Sequence, residues 1–385
     1  MQSADRIVLT IGGIEYREWS SVSVTRSLEA AAASWQMTVS ERLSQRGDPL
    51  GIVPGSACVV QVEPTSGQGI ILPVVTGYVD SIVNAVSPDS HDVGLSGRSR
   101  TCDLLDCTIG APHAYPPMSI LAIAGDLASD YGVTVTADPP GIADRLVPRF
   151  APDPVSTIYE SIERLARMEA LLVTDDVAGD LVLRRISADM LPVAELRNPG
   201  QVESASVTCD AAGLYTDYEL IRQRGPYGAD VGAPLAMLTS SAADDTLRRS
   251  RLLRLAAESV MTRQQANDRI IWESATRSGR ATKYICTVGT WRTAPDGDLW
   301  TPGTVLTVVD EFLNVDTPLL LVSVDLTYDV AEGTHAILTL APVAGYILLA
   351  PVEVQRTRVA GRLAPAQAGT PWLVKRADGT FGPPQ

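Results

Sequence analysis

The feature that most constrains this chain is a rhythm of short alternating segments punctuated by glycine. "RIVLTIGGIEY" reads as a strand, a Gly12-Gly13 turn and a return strand. Two adjacent residues at positive φ match the twist of the strands they join, which is the pattern of a tight hairpin. "SVSVTRS" and "SWQMTVSE" alternate on either side of an Ala-rich corner, "LEAAAA". "ACVVQVE", the loop "TSGQG", "IILPVVTGYVDSIV" and "HDVGLSG" continue the series. A period of two places every second side chain on one face. Six or seven such strands within residues 1–100 predict a small β-barrel or sandwich.

Over residues 101–200 the grammar changes to mixed α and β. "SILAIAGDLASDYG" predicts a helix capped by Ser119, with Ile120, Ile123, Ala124, Leu127 and Tyr131 on one face and Gly132 at its end. A second helix is marked twice: by Asp153 before Pro154, and by a Thr157–Glu160 capping box. Its expected buried stripe is Val155, Ile158, Ile162 and Leu165. "VTVTA" and "ALLVTDDVAGDLVLRR" supply strands, so the stretch reads as an inserted α/β module.

Residues 201–345 return to β grammar. "ESASVTCD" and "LYTDYELIRQRG" come first, and "TKYICTVGTW", "GTVLTVVD", "PLLLVSVDLTYD" and "THAILTLA" come later. Between them a helix is expected at about 262–278, with Thr262 and Gln265 as a capping box and Gly279 as its stop. Residues 346–385 lack a sustained period and read as an extended C-terminal tail.

The chain has a formal charge of −14, and residues from Pro351 onward carry five basic against two acidic side chains. The body before that point is therefore at −17 and the tail at +3, a balance that argues against tight, nonspecific nucleic-acid binding. No apolar run approaches the ~18 residues a membrane helix needs, and "MQSADRIVLTIGG" has no signal-peptide pattern. Folding in a cytoplasm is the resulting expectation, with no membrane insertion.

Chemistry is hard to find. His91, His113 and His335 lack zinc-hydrolase spacing, and neither GxSxG, a P-loop nor GxGxxG occurs. Cys58, Cys102, Cys107, Cys209 and Cys286 form no CxxC and are expected to be buried as small hydrophobes. Asp175-Asp176 and Asp244-Asp245 are adjacent pairs, read as solvated groups or caps, because a glycosidase needs carboxyls opposed across a cleft. Arg248, Arg249, Arg251 and Arg254 form the densest basic cluster; with aromatics at 5%, ion pairing within the protein fits it better than stacking on nucleic acid. No catalytic, cofactor-binding or metal residue is assigned, no cofactor is expected, and the chain is expected not to be an enzyme.

One stretch, "VTGYVDSIV…HDVGLSGRSRTCDLLDC", resembles the signature region of the Mu-like phage baseplate hub proteins, the P-protein or 43 kDa tail protein family. "YESIERLARMEALLVTDDVAGDLVLRR", "ANDRIIWESATRSGRATKYICTVGTW" and "DLWTPGTVLTVVDEFLNVDTPLLLVSVDLTYDVAEGTHAILTLAP" are similar to it in the same order, over about residues 5–345. The resemblance implies two related β-barrel domains, residues 1–100 and 201–345, flanking the module of residues 101–200. It also implies a homotrimeric ring adapting a sixfold tail tube to a threefold central spike, with a channel for DNA and the tape-measure protein. The ring is expected in the tail baseplate of a virion. On this pattern "SRLLRLAAE" becomes a strand. Arg98 and Arg100 would close the first barrel, with Asp80, Asp103 and Asp106 available to pair and Cys102 and Cys107 packed as small residues. Two alternatives remain open: the hub of a phage-derived contractile injection device, and a tail-associated cell-wall hydrolase whose only home would be the α/β module.

Overall fold

The computed structural model describes residues 5–40, 52–64, 70–86, 91–110, 114–222, 238–243, 247, 249–256, 263–294, 297–347, 374–375 and 381–382. All seven N-terminal strands form: β1 (Asp5–Ile11), β2 (Ile14–Tyr16), β3 (Ser21–Ser27), β4 (Ser34–Ser40), β5 (Ala57–Pro64), β6 (Leu72–Val86) and β7 (His91–Ser99). Gly12 and Gly13 both take positive φ, as the first hairpin requires.

The α/β stretch comprises α1 (Cys102–Asp106), β8 (Met118–Ser119), α2 (Ile120–Ser129), β9 (Val135–Asp138), β10 (Leu146–Val147), α3 (Ile158–Met168), β11 (Leu172–Asp175) and β12 (Leu181–Arg184). Ser119 caps α2 by accepting from the Ala122 N–H, and Thr157 and Glu160 close a reciprocal capping box on α3. That box decides where α3 begins. Pro154 and Val155 therefore precede the helix, and Val155, expected in the buried stripe, is 82% exposed. β12 pairs parallel with β9 and antiparallel with β11. Both helices pack on this small sheet through Ile120, Ile123, Leu127, Ile158, Ile162 and Leu165.

The remaining strands are β13 (Pro192–Asn198), β14 (Val202–Cys209), β15 (Asp217–Arg222), β16 (Leu238–Ala243), β17 (Leu252–Ala256), β18 (Thr282–Val288), β19 (Val305–Asp310), β20 (Val315–Asp329) and β21 (Gly333–Ala341). β17 makes Leu252–Ala256 of "SRLLRLAAE" a strand; it pairs parallel with β15, and β15 pairs with β16. The helix α4 runs Arg263–Ala281, past its expected stop at Gly279. Gly279 serves packing instead: a Cβ there would lie 2.6 Å from the Gly345 nitrogen. Thr262 lies outside the described residues, as do His113, Asp244, Asp245 and Arg248. Among the described residues no helix is long and apolar enough to cross a membrane.

Two separate closed barrels are not what forms. The N-terminal and C-terminal strands join one 13-stranded sheet, whose main path is β14-β18-β21-β20-β3-β4-β7-β6-β5-β1-β2, with β19 also on β20 and β13 on β19. The reason is β20. Val315–Leu320 pairs with β19, while Ser323–Asp329 pairs with β3. The edge hydrogen bonds that would close one barrel are thus given to the other set of strands. A single apolar core follows, running from Leu9, Val24 and Met37 to Cys286, Leu326 and Leu340.

Residues Met1–Val352 form one compact unit and Glu353–Gln385 a second. In the second, the described residues are a two-residue ladder, β22 (Val374–Lys375) against β23 (Phe381–Gly382).

Candidate functional site: a hydroxyl-lined sheet face and its corner

In the run of eight strands from β14 to β6, the inner six bury one face and leave the other to solvent. Strand alternation sorts the residues. β3 buries Val22 and Val24 while presenting Ser21, Ser23, Thr25 and Ser27; β4 buries Trp35 and Met37 while presenting Ser34, Gln36 and Thr38. The registers carry the open face on to Ser206 and Thr208 of β14 and Ser96 of β7. Short hydroxyls dominate it. A shallow groove of about 340 Å³ lies there, lined by Ser23, Thr25, Ser34, Gln36, Ser96 and Arg98 among others.

Two basic groups on this face have acidic partners. Arg98 donates to Asp80 at 2.6 Å and to Asp106 at 2.7 Å. Its hydrogen bonds hold the Asp106 carboxyl below the usual carboxylate range. His335 meets Glu203 at 3.0 Å, and Glu203 is the extra residue of a bulge in β14. Thr25 donates to Asp325 at 2.5 Å. The face therefore offers mainly short neutral groups, and Lys283, opposite Thr208, adds a positive charge beside them.

"SGRSRTCDLLDC" turns the chain from β7 into α1; there is no closed barrel for Arg98 and Arg100 to close, and their pairing differs in part from expectation. Arg98 takes Asp80 and Asp106. Arg100 turns away to Asp180, 2.7 Å distant on the β11–β12 turn, and Asp103 receives the Cys102 thiol at 3.9 Å instead of an arginine. Gly179 of the same turn has φ +75, and a Cβ there would sit 2.3 Å from the Thr76 carbonyl, so the turn lies directly on β6. Thr76 donates to the Val177 carbonyl at 2.9 Å.

Asp175 corrects an expectation: it is buried, not solvated. Its carboxylate accepts the Ala33 N–H at 2.8 Å, and the Arg26 guanidinium donates to its carbonyl at 3.2 Å and lies 3.9 Å from its carboxylate. Burial pushes this carboxyl up against the pull of Arg26, and burial pulls the guanidinium down. Asp176 behaves as a cap, accepting from the Ala178 and Asp180 N–H groups. A signal for the buried pair was present in the sequence: Arg26 falls in the apolar register of β3, two residues after Val24.

The cysteines are all free. Burial pushes the thiols of Cys58 and Cys286 up to about 12 and that of Cys102 up to about 11, which suits small hydrophobes. Cys107 is half-buried and Cys209 exposed, contrary to expectation. In the basic cluster Arg254 pairs with Glu219, and Arg251 donates to the Ala211 and Ala212 carbonyls while covering the Tyr215 ring. No grouping of His, Cys, Asp or Glu suited to a metal occurs among the described residues.

A second buried carboxylate, Asp310, was not foreseen. It accepts from the Phe312 and Leu313 N–H groups, from Asn198 at 2.9 Å and from the Tyr284 hydroxyl at 2.9 Å. Burial raises its pKa, but the donors outweigh burial and hold the carboxyl below the usual range.

Three family models match this chain: the N-terminal domain of Mu phage baseplate assembly protein GpP-like proteins over residues 6–99, the second domain of baseplate hub protein gp44-like proteins over 101–185, and the fourth domain of Mu phage baseplate assembly protein GpP over 262–349. Baseplate hub protein gp44 of Escherichia phage Mu is 29% identical over 363 residues, covering 92% of this chain and 91% of that protein. The 43 kDa tail protein of prophage MuSo2 from Shewanella oneidensis is 26% identical with a TM-score of 0.74, over 89% of this chain and 100% of that one. A tail protein from Neisseria meningitidis MC58 shares the fold at 19% identity and a TM-score of 0.72, over 89% of this chain and 99% of that one.

Proposed function

Since this chain belongs to the family of Mu-like phage baseplate hub proteins and is a structural component of a phage tail, we propose that it works there as a ring-forming adaptor. The observation that carries this reading is an eight-strand run within the sheet that has an unpaired edge at each end among the described residues. From β14 to β6, eight strands run antiparallel throughout. Among the described residues, no strand pairs with the outer edge of β14 or with that of β6 beyond Tyr78. An exposed strand edge is a template for another chain. An even number of alternating strands lets β14 meet β6 of a second copy with the alternation unbroken. A head-to-tail contact of this kind closes into a ring if its rotation allows.

Three copies would present six related sets of strands, which suits an adaptor between a sixfold tail tube and a threefold spike. The hydroxyl-lined face would then border a channel. Its short neutral groups, with Arg98 neutralised, would let DNA and the tape-measure protein pass without being held. The proposed role is structural and not enzymatic: the buried carboxylates Asp175 and Asp310 are each engaged by structural donors. Assembly in the host cytoplasm, and contact with the spike and tube or adjoining baseplate proteins, belong to the same proposal.

Light scattering at micromolar concentration across ordinary salt tests it. The expected result is a stable species of three chain masses with a central opening in negative-stain images, and a strictly monomeric protein overturns the reading. Tight DNA binding at physiological salt would overturn the channel assignment alone.

A further inference from the structure

The chain contains its own template for the contact between copies. β3, β4, β7, β6 and β5 recur as β14, β18, β21, β20 and β19, paired in the same order. β6 and β20 are both 15 residues long. Each pairs through its first half with the strand before it, and each has a register break midway, at Val79/Ser81 and at Leu321/Ser323; β6 has a further break against β5, between Val75 and Pro73.

The ladders align these two sets residue by residue. Ser96 opposite Ser81 corresponds to Thr339 opposite Ser323. Leu95 opposite Met37 corresponds to Leu338 opposite Cys286. Trp35 opposite Val24 corresponds to Tyr284 opposite Val207. Val24 and Thr25 are therefore equivalent to Val207 and Thr208, and Asp325, Leu326 and Thr327 to Val83, Asn84 and Ala85.

Within the chain the first set already grips the second. β3 pairs with β20 through Thr25 opposite Asp325, Val24 opposite Leu326 and Ser23 opposite Thr327. The equivalent edges of β14 and β6 have no such mate among the described residues. Burial records the difference. Val24 is 0% exposed, whereas its counterpart Val207 is 44% exposed and Val83 is 58% exposed. Apolar β-branched residues thus stand exposed on both edges; in the register of the repeat they fall one position apart, Val207 on the core-side face and Val83 on the hydroxyl-lined face.

We propose that β14 pairs antiparallel with the second half of β6 of a second copy, in the register Thr208 opposite Val83, Val207 opposite Asn84 and Ser206 opposite Ala85. This rests on the ring reading above and adds to it a specific ladder. The occupant of each open edge is the other open edge of an identical chain, because the internal ladder is built from the equivalent strands.

Cysteine pairs read the register. Directly opposed residues have Cα atoms about 4.5–5.5 Å apart, within the roughly 4.4–6.8 Å a disulfide spans. A slip of two residues adds about 6.6 Å along the strand and breaks that condition. In a background with Cys209→Ser, the variants Thr208→Cys/Val83→Cys and Val207→Cys/Asn84→Cys should oxidise to a species of three linked chains, sensitive to reductant. Thr208→Cys/Ala85→Cys should not. Light scattering and circular dichroism on the same samples separate the two levels of the argument. A folded three-chain assembly that cross-links through the shifted pair, or through neither aligned pair, overturns the ladder while sparing the ring. A folded monomer overturns both.

Discussion

Two edges of the same sheet, equivalent by internal repeat, have different fates in a single chain. Where β3 meets β20, Val24 is fully buried and Thr25 hydrogen-bonds Asp325 across the seam. Where β14 and β6 end the run, Val207 and Val83 are exposed and the outward backbone groups lack a strand among the described residues. The local sequences are alike in kind: short hydroxyls alternate with small apolar residues, Val22 and Val24 in "SVSVT" and Ala205 and Val207 in "ESASVT". The difference lies in what covalent connection can reach. Closing the β3–β20 seam within the chain costs loop entropy once; the equivalent edges of β14 and β6 find no strand of the same chain among the described residues.

Charge placed at the two equivalent valines should separate these fates most sharply. Val24→Asp buries an ion without a partner in the shared core and should cost roughly 4 kcal/mol or more, seen as loss of cooperative folding in thermal or denaturant unfolding. Val207→Asp should leave the far-ultraviolet spectrum intact while the mass falls from three chains to one. If both variants unfold, or both still assemble, the two edges are not the contrast described.

The second prediction concerns the strength of the C-terminal set itself. Asp310→Asn leaves the Asn198 amide and the Tyr284 hydroxyl facing an amide group in place of a carboxylate oxygen, a loss of about 1–3 kcal/mol. The sign of its pH dependence follows from the direction of the shift. The folded carboxyl lies below its ordinary value of about 3.9, so its stabilisation is complete above about pH 4 and is lost as pH falls through the folded value. Denaturant unfolding should therefore show a gap between wild type and Asp310→Asn that is full at pH 7 and narrows in acid.

Much of this was legible in residue order, for identifiable reasons. Ser119 and the Thr157–Glu160 box mark helix starts because capping is local chemistry. The strands β1 to β7 follow from period two. The failures were long-range. Nothing near Val315 indicates that one half of β20 serves β19 and the other β3, so separate barrels were a natural expectation. Val155 was assigned to a helix because Asp153-Pro154 and Thr157 compete as start signals within a few residues. Gly279 carries the composition of a stop but serves a close approach to Gly345, which lies far off in sequence. The corner was half readable: the Arg98 pairs lie within 18 residues, whereas Arg100 reaches 80 residues to Asp180.

The smallest expected effect belongs to that corner. Arg98, Asp80 and Asp106 are each at least a third exposed, so Arg98→Ala should cost only about 0.2–1 kcal/mol, and less at high salt. Unfolding midpoints at two ionic strengths check this. A larger, salt-independent loss would mean that the corner holds the sheet together more than the seam does.

Hydrogen exchange of the β14 backbone addresses the central contrast most directly. Alternate amides of β14 bond to β18, and the others point to the open edge. In a sample of verified three-chain mass, those outward amides between Ala205 and Cys209 should be protected as strongly as the β3 amides that face β20. In a sample diluted to monomer, protection should vanish from β14 and persist in β3. Rapid exchange of the outward β14 amides within the intact assembly would contradict the account.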